Sequence, residues 1–352
     1  MGRTNMDTIR VGMIGFGANT RLRHAPGLLA CPKVTLEAVC NRSLESSQKA
    51  AKEYNIPKIY ESWQQLVEDS TIDAICIGTW PYMHCPITLA AFENGKHVLT
   101  EARMAMDDNE ARQMYAASQQ HPELVAQIVP SPLGMRAHKV VQQYLATKIG
   151  ELREVVVLGT NDAFAQSDTP LHWRQSGPYS GINMLALGII HEPLVRWITD
   201  PIRVLASTQT FTPTRFNNET GQQEPVGTPD SVQVITELPC GARGIYHMSG
   251  VVHHGPGPQI HLYGSQGTLK YVMAPDDKLY FGAASDSQME EVNVSEDLAV
   301  SWRVEEEFIN AIRGIEQIEF NNFAKGVRYM EFTKAVEQSA LTGQTVDLQY
   351  SA

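Results

Sequence analysis

Apolar residues follow two rhythms along this chain. Over the first 130 positions, short β-branched runs alternate with stretches in which apolar residues recur every three to four positions. Val11–Ile14, Val34–Cys40, Asp73–Gly78, Lys96–Glu101 and Leu124–Val129 predict buried strands. Leu22–Ala30, Ser46–Tyr54, Trp63–Glu68 and Met83–Glu93 predict helices, with Pro32, Pro57 and Gly95 as stops and acid-rich Asp107–Glu110 as a further helix start. Strands alternating with helices predict a doubly wound parallel sheet over residues 1–130.

Past residue 130 the rhythm changes. One helix, Gly134–Lys148, leads into strands at Leu152–Leu158, Val204–Thr210, Ser231–Leu238, Ala242–Ser249, Gln259–Tyr263 and Gly267–Val272, with turns between them. Helices at Trp302–Ile312 and Ala324–Leu341 close the chain. The pattern predicts an α+β domain over 131–352, built on a large, open, mainly antiparallel sheet. One face of such a sheet needs cover, so a homodimer or homotetramer is expected.

Of the 352 residues, 43% are hydrophobic and 19% charged, as in a two-domain globular protein. A net charge of −11 with no basic run argues against nucleic acid or an anionic membrane as partner. The five cysteines form no C-x-x-C pair and show no metal-ligand spacing, so free thiols in a reducing compartment and no bound metal are expected. No apolar run reaches bilayer length and the first residues lack an apolar leader core, which points to the cytoplasm.

The chemistry begins at Gly15-Phe16-Gly17-Ala18-Asn19-Thr20, directly after the first strand. Gly15 permits the tight turn and Gly17 lets backbone approach a pyrophosphate at a helix start, with Thr20 standing where a third glycine is usual. At the end of the second strand, Asn41 occupies the place of the acidic residue that meets an adenosine ribose, and Arg42 follows it. A neutral residue beside an arginine favours a 2′-phosphate, hence NADP over NAD; alternatively Arg42 stacks on adenine or sits in solvent. Thr79-Trp80-Pro81, with His84 after them, end the third long strand at the edge where open α/β sheets bind ligands.

Taken in order, several segments resemble the glucose–fructose oxidoreductase / inositol dehydrogenase / MocA family. They are Gly15-Phe16-Gly17 with His24 downstream, Asp73–Thr79 followed by His84, Gly95–Glu101, Trp173-Arg174 and Gly264–Leu269. The resemblance implies a Rossmann domain, a substrate domain with an open sheet, and a nicotinamide cofactor, NAD(P). It further implies hydride transfer at a sugar or polyol carbon, and that Glu101, the position of Ala102, Trp173 and Arg174 touch cofactor or substrate.

The chain departs from that family where its chemistry is expected. The family's E-K-P reads Glu101-Ala102-Arg103, so the lysine position is Ala102. Its D-x-G-x-H aligns with Ala186–Ile190, which leaves both polar positions apolar. His191 and Glu192 lie one and two residues out of register, turned about 100° and 200° around a helix. Hydride transfer from an alcohol still needs a proton acceptor. Through a register shift, His191 could serve, with Glu192 orienting it; Arg103 could act as an electrostatic clamp; Asn183, three residues before Ala186, could bond substrate from the same helical face. The plainer alternatives are His191 packed beneath Trp197 and Arg103 paired with Asp107 or Asp108. His172 and Tyr179, flanking Arg174, could supply a proton relay. His253-His254 point to opposite faces of a strand, which argues against a metal pair, although one of them could line a substrate cavity.

The sequence therefore predicts an NAD(P)-dependent oxidoreductase for a carbohydrate-like substrate. Two alternatives stay open: a redox-neutral glycosidase or lyase working through a transient keto-sugar, and a non-catalytic dinucleotide-binding regulator.

Overall fold

The computed structural model describes residues 8–129, 135–273 and 275–352. By contacts the chain divides into two compact units, the first running to residue 130 and taking back Arg303–Val327, the second holding the rest up to Ser351.

The first unit carries a six-stranded parallel sheet. Its strands are β1 (Ile9–Ile14), β2 (Val34–Cys40), β3 (Lys58–Ile59), β4 (Ala74–Ile77), β5 (His97–Thr100) and β6 (Ala126–Ile128), in the order β3-β2-β1-β4-β5-β6. Strand order reverses between β1 and β4, which puts a ligand crevice at their carboxyl ends. Strands β4 and β5 are buried throughout, and β4 accordingly reads as an unbroken apolar run, Ala74-Ile75-Cys76-Ile77. Side chains cap three of the helices: Ser43 accepts from the Ser46 N–H, Ser62 from Gln65 and Asp107 from Glu110. The helix expected from Leu22 instead opens as a π-turn, Thr20–His24, before becoming α-helical over Ala25–Ala30.

Helix Val304–Ile312, expected in the second domain, belongs to the first unit. A buried ionic contact is one of the ties that hold it there: Glu305 lies 2.6 Å from Nδ1 of His24, and both side chains are almost wholly buried.

In the second unit the described residues form β7 (Leu152–Thr160), β8 (Arg203–Gln209), β9 (Thr214–Asn217), β10 (Gln222–Pro225), β11 (Ser231–Glu237) and β12 (Arg243–Ser249). β13 (Gln259–Gly264), β14 (Gly267–Val272), β15 (Lys278–Ala283), β16 (Glu290–Glu291) and β17 (Val346–Asp347) follow. Nine of these make one sheet, β16-β15-β14-β13-β7-β12-β11-β8-β17, while β9 and β10 pair separately. Every neighbouring pair is antiparallel except β7 and β12, which are parallel. Alternate residues of β11 and β12 turn inward onto a core that includes Leu187, Ile190 and Phe332. The other face shows Leu205, Ile235 and Ile245, aligned in register across β8, β11 and β12 and 38%, 49% and 52% exposed.

The helix expected at Gly134–Lys148 is seen as His138–Thr147, Gly134 itself lying outside the described residues. Cys31, Cys40, Cys76 and Cys85 are free and buried, and Cys240 is free and exposed. Among the described residues no helix is long and apolar enough to cross a membrane, and no group of three or more His, Cys, Asp or Glu could hold a metal ion.

Candidate functional site

The turn after β1 is shaped by close backbone approach. Gly15 has φ of 85°, and a Cβ there would lie 2.6 Å from the Thr79 nitrogen at the end of β4. Thr20, in place of the usual third glycine, is fully buried and donates its hydroxyl to the Gly15 carbonyl at 3.0 Å. Gly17 and Ala18 are exposed, and nothing stands closer than 3.8 Å to where a Gly17 Cβ would be.

Phe16 has a different role from the one its position suggests. Its ring is buried, with its centroid 5.0 Å from that of Tyr54. Its N–H donates to Oδ1 of Asn41 at 2.6 Å and its carbonyl accepts from Arg21, so it is a structural member of the turn rather than a cofactor contact. Asn41 thus ties the end of β2 to the turn after β1. Arg42, beside it, is exposed, with its guanidinium 5.6 Å from the centroid of the Trp80 ring. Residues from β2 and β4 thereby converge across the carboxyl end of β1.

His84 is likewise structural. It is fully buried, with Nε2 3.0 Å from the Thr79 carbonyl and Nδ1 2.8 Å from the Arg103 carbonyl. Burial holds its pKa below the ordinary histidine value. It staples the loops after β4 and β5 together and has no nitrogen left for a ligand. Pro81 is buried beside it, while Thr79 and Trp80 are half-buried.

At the end of β5, Glu101 accepts from Asn19 and lies 2.9 Å from Nε2 of His24, whose Nδ1 faces Glu305. Burial works against a charge on His24, but hydrogen bonds to Glu101 and Glu305 outweigh it and raise its pKa to about 9. Glu101 is half-buried, yet the imidazolium and Asn19 hold its pKa below the ordinary value. Sequence reading named Asn19 and Glu101 but not Glu305, whose only signal is an acidic residue on an otherwise apolar helix face. Ala102 offers a methyl group where the family has lysine. Arg103 is 5% exposed, so it is not the open clamp expected of it.

A dinucleotide fits these residues. Gly17 and Ala18 leave backbone open for phosphate, and the Thr79 hydroxyl oxygen is buried at the switch point without a hydrogen-bond partner.

Two expected catalytic residues in the second unit are corrected. His191 is wholly buried on helix Leu187–Leu194, stacked on Phe332 at 3.6 Å, with Nδ1 2.9 Å from the Tyr246 hydroxyl. Burial drives its pKa down to about 3, and Glu192 pairs with Arg196 instead of orienting it. A sealed, neutral core histidine cannot reach a substrate. Asn183 is not on the helix at all: it lies in the turn before it, where Leu185 has φ of 49°, and its amide donates to the Ser180 carbonyl at 2.7 Å. The turn removes the shared face with Ala186 and buries Asn183 to 4% exposure.

Trp173 and Arg174 start in a short 3-10 turn, with the Arg174 guanidinium 4.2 Å over the Trp173 ring. Two buried side chains, neither found by sequence reading, hold this loop. Arg215 on β9 donates to the carbonyls of Phe164, Gln166 and Thr169, and Asp230 accepts from Gln175 and from the backbone of Phe211 and Thr212.

Comparisons with known proteins agree with this architecture. Residues 9–128 match the profile described as an oxidoreductase family with an NAD-binding Rossmann fold, and residues 137–270 match the GFO/IDH/MocA C-terminal domain. An uncharacterized oxidoreductase of Synechocystis is 24% identical over 76% of this chain and 72% of its own length. Levoglucosan dehydrogenase of Pseudarthrobacter phenanthrenivorans is 23% identical over 80% of this chain and 78% of its own. The solved structure of a levoglucosan dehydrogenase in its apo form superposes with a TM-score of 0.86 at 20% identity, covering 99% of this chain and all of that one.

Proposed function

Because the chain belongs to the GFO/IDH/MocA oxidoreductase family, we propose that it passes hydride between a nicotinamide cofactor and a secondary alcohol or ketone of a sugar or polyol. The observation that supports this reading best is the open turn after β1, with Gly17 and Ala18 exposed and the Thr79 hydroxyl unpartnered beside it. A related levoglucosan dehydrogenase acts, by its name, on levoglucosan, and a structurally similar levoglucosan dehydrogenase has been solved in complex with NADH and levoglucosan.

When bound, the cofactor accepts or delivers the hydride; the protein's part is to hold it and to manage the proton. Backbone at Gly17 and Ala18, exposed and open, would hold the pyrophosphate. The Glu101 carboxylate, whose pKa His24 holds below the ordinary value, is engaged in hydrogen bonds with Asn19 and His24 at the end of β5. NADP is the cofactor this site suits better than NAD. Asn41 already accepts the Phe16 N–H at Oδ1, so that oxygen is engaged, and the exposed Arg42 stands next to it to meet a 2′-phosphate.

The exposed row Leu205–Ile235–Ile245 supports a homodimer or homotetramer formed through the open face of the sheet. A panel of sugars and polyols tests the proposed reaction: reduced nicotinamide should appear with at least one of them. Tight cofactor binding with no reduction by any would instead support a binding protein.

A further inference from the structure

The turn after β1 leans on a carboxylate, although a dinucleotide brings negative charge to that turn. Asn19 precedes the π-turn Thr20–His24, but its side chain makes no capping bond there. It reaches the end of β5 instead, where Nδ2 donates to Oε1 of Glu101. Nε2 of His24 meets the same oxygen at 2.9 Å, and the two nitrogens stand 3.4 Å apart, as two donors sharing one acceptor do.

The other side of the His24 ring faces a second carboxylate. Nδ1 lies 2.6 Å from Oε1 of Glu305 on helix Val304–Ile312. Glu305 arrives past Gly27, where a Cβ would lie 2.7 Å from its Oε2, so the helix Ala25–Ala30 leaves a slot that the carboxylate fills. Ionised carboxylates only accept, so both ring nitrogens donate and the ring is an imidazolium. His24 is fully buried and Glu305 almost so, which keeps solvent from screening the charges. All four residues belong to the first unit.

The charge on His24 decides what this turn can bind. The imidazolium cancels one of the two carboxylates. Without it, both negative charges stand uncompensated beside the turn, and one ring nitrogen points a lone pair at a carboxylate oxygen. Repulsion then loosens Glu101, and with it the anchor of Asn19.

We propose that His24, held by Glu305, is a positioning residue for the cofactor: it fixes Glu101 as the anchor of Asn19 and cancels charge that would repel the pyrophosphate. The assignment rests on the dinucleotide reading above. Being sealed, His24 acts through Glu101 and Asn19, not by contact. Other titratable groups stand close: Cys76 on β4 and His84 near Glu101, and Cys31 near Glu305. Burial pushes both thiols up and holds His84 below the ordinary histidine value, so these stay neutral while His24 titrates near pH 9.

Cofactor titration of the full chain across pH tests the assignment, with NADPH and NADH as probes. In the wild type the dissociation constant should be steady between about pH 7 and 8, then rise about tenfold as pH passes 9. His24→Gln should bind about tenfold more weakly already at neutral pH and should lack that rise. Glu305→Gln, and Gly27→Ala with a methyl group in the carboxylate's slot, should move the onset of the rise to lower pH. Loss of packing alone would not move it. In ¹⁵N NMR of the wild type at neutral pH, both nitrogens of His24 should carry protons, a readout that needs no variant to fold. A neutral His24, a folded His24→Gln variant within about twofold of wild-type affinity, or an unchanged onset in Glu305→Gln would overturn the proposal and leave the dinucleotide reading intact. A wild type that binds neither NADPH nor NADH would overturn that reading, and the proposal with it.

Discussion

The Thr20 hydroxyl occupies space that Gly78 leaves open: a Cβ on Gly78 would lie 2.2 Å from Oγ1 of Thr20. A threonine where the dinucleotide turn usually has its third glycine is thus accommodated by a glycine at the end of β4, not by a looser turn. The same Cβ would meet the Gly15 carbonyl oxygen at 2.3 Å, so removing Thr20 does not make room for it. Gly78→Ala should therefore destabilise the protein by about 2 kcal/mol or more and weaken cofactor binding. Thr20→Ala should cost only about 1 kcal/mol, the value of one hydrogen bond. Urea unfolding and cofactor titration check both; equal, small losses would contradict the packing account.

Two buried histidines should give opposite pH dependences. His24 has its pKa raised from 6.5 to about 9, so its contribution, on the order of 3 kcal/mol, is fully present below pH 6.5 and lost as pH rises through 9. His191 has its pKa lowered to about 3, so the stability tied to its neutral form is present above pH 6.5 and lost as pH falls towards 3. Unfolding free energies across pH should show the deficit of His24→Gln shrinking from pH 6 to pH 9 and above. His191→Phe should lose less stability than wild type on acidification. Retained turnover in folded His191→Phe is also expected, because that side chain faces Phe332 and Tyr246, not solvent.

Arg42→Ala should raise the dissociation constant for NADPH about tenfold or more and leave that for NADH nearly unchanged. Fluorescence titration with both cofactors decides it, and equal effects would remove the case for NADP.

Ile235→Glu places a charge between Leu205 and Ile245 in the middle of the exposed row. The variant should keep its fold by circular dichroism and fall to monomer mass by light scattering. An unchanged mass would show that the subunits meet elsewhere or do not associate.

What the sequence made legible follows from the range of the forces involved. Val34–Cys40 and Trp63–Glu68 have the bounds that periodicity predicts, since local pattern and capping residues set them. Strands β9 and β10 were not read because Thr214–Asn217 and Gln222–Pro225 have no alternating apolar residues; what holds β9 is the buried Arg215 bonding to a distant loop. The return of Arg303–Val327 to the first unit involves contacts far apart in sequence, such as that between His24 and Glu305, 281 positions apart. His191 was misread for a related reason. A histidine one place out of register with a catalytic motif looks the same in sequence whether it faces solvent or stacks on Phe332. Asn183 shows the limit of helical spacing arguments, because the positive φ at Leu185 breaks the helix on which the spacing relied.

Net hydride transfer at a sugar or polyol carbon can be followed by proton NMR of a sugar and glycoside panel in deuterated water with NADP or NAD present. An oxidised sugar should appear together with an equal amount of reduced nicotinamide. Glycoside cleavage with deuterium gained beside a transient ketone, and no net change in the cofactor, would contradict it.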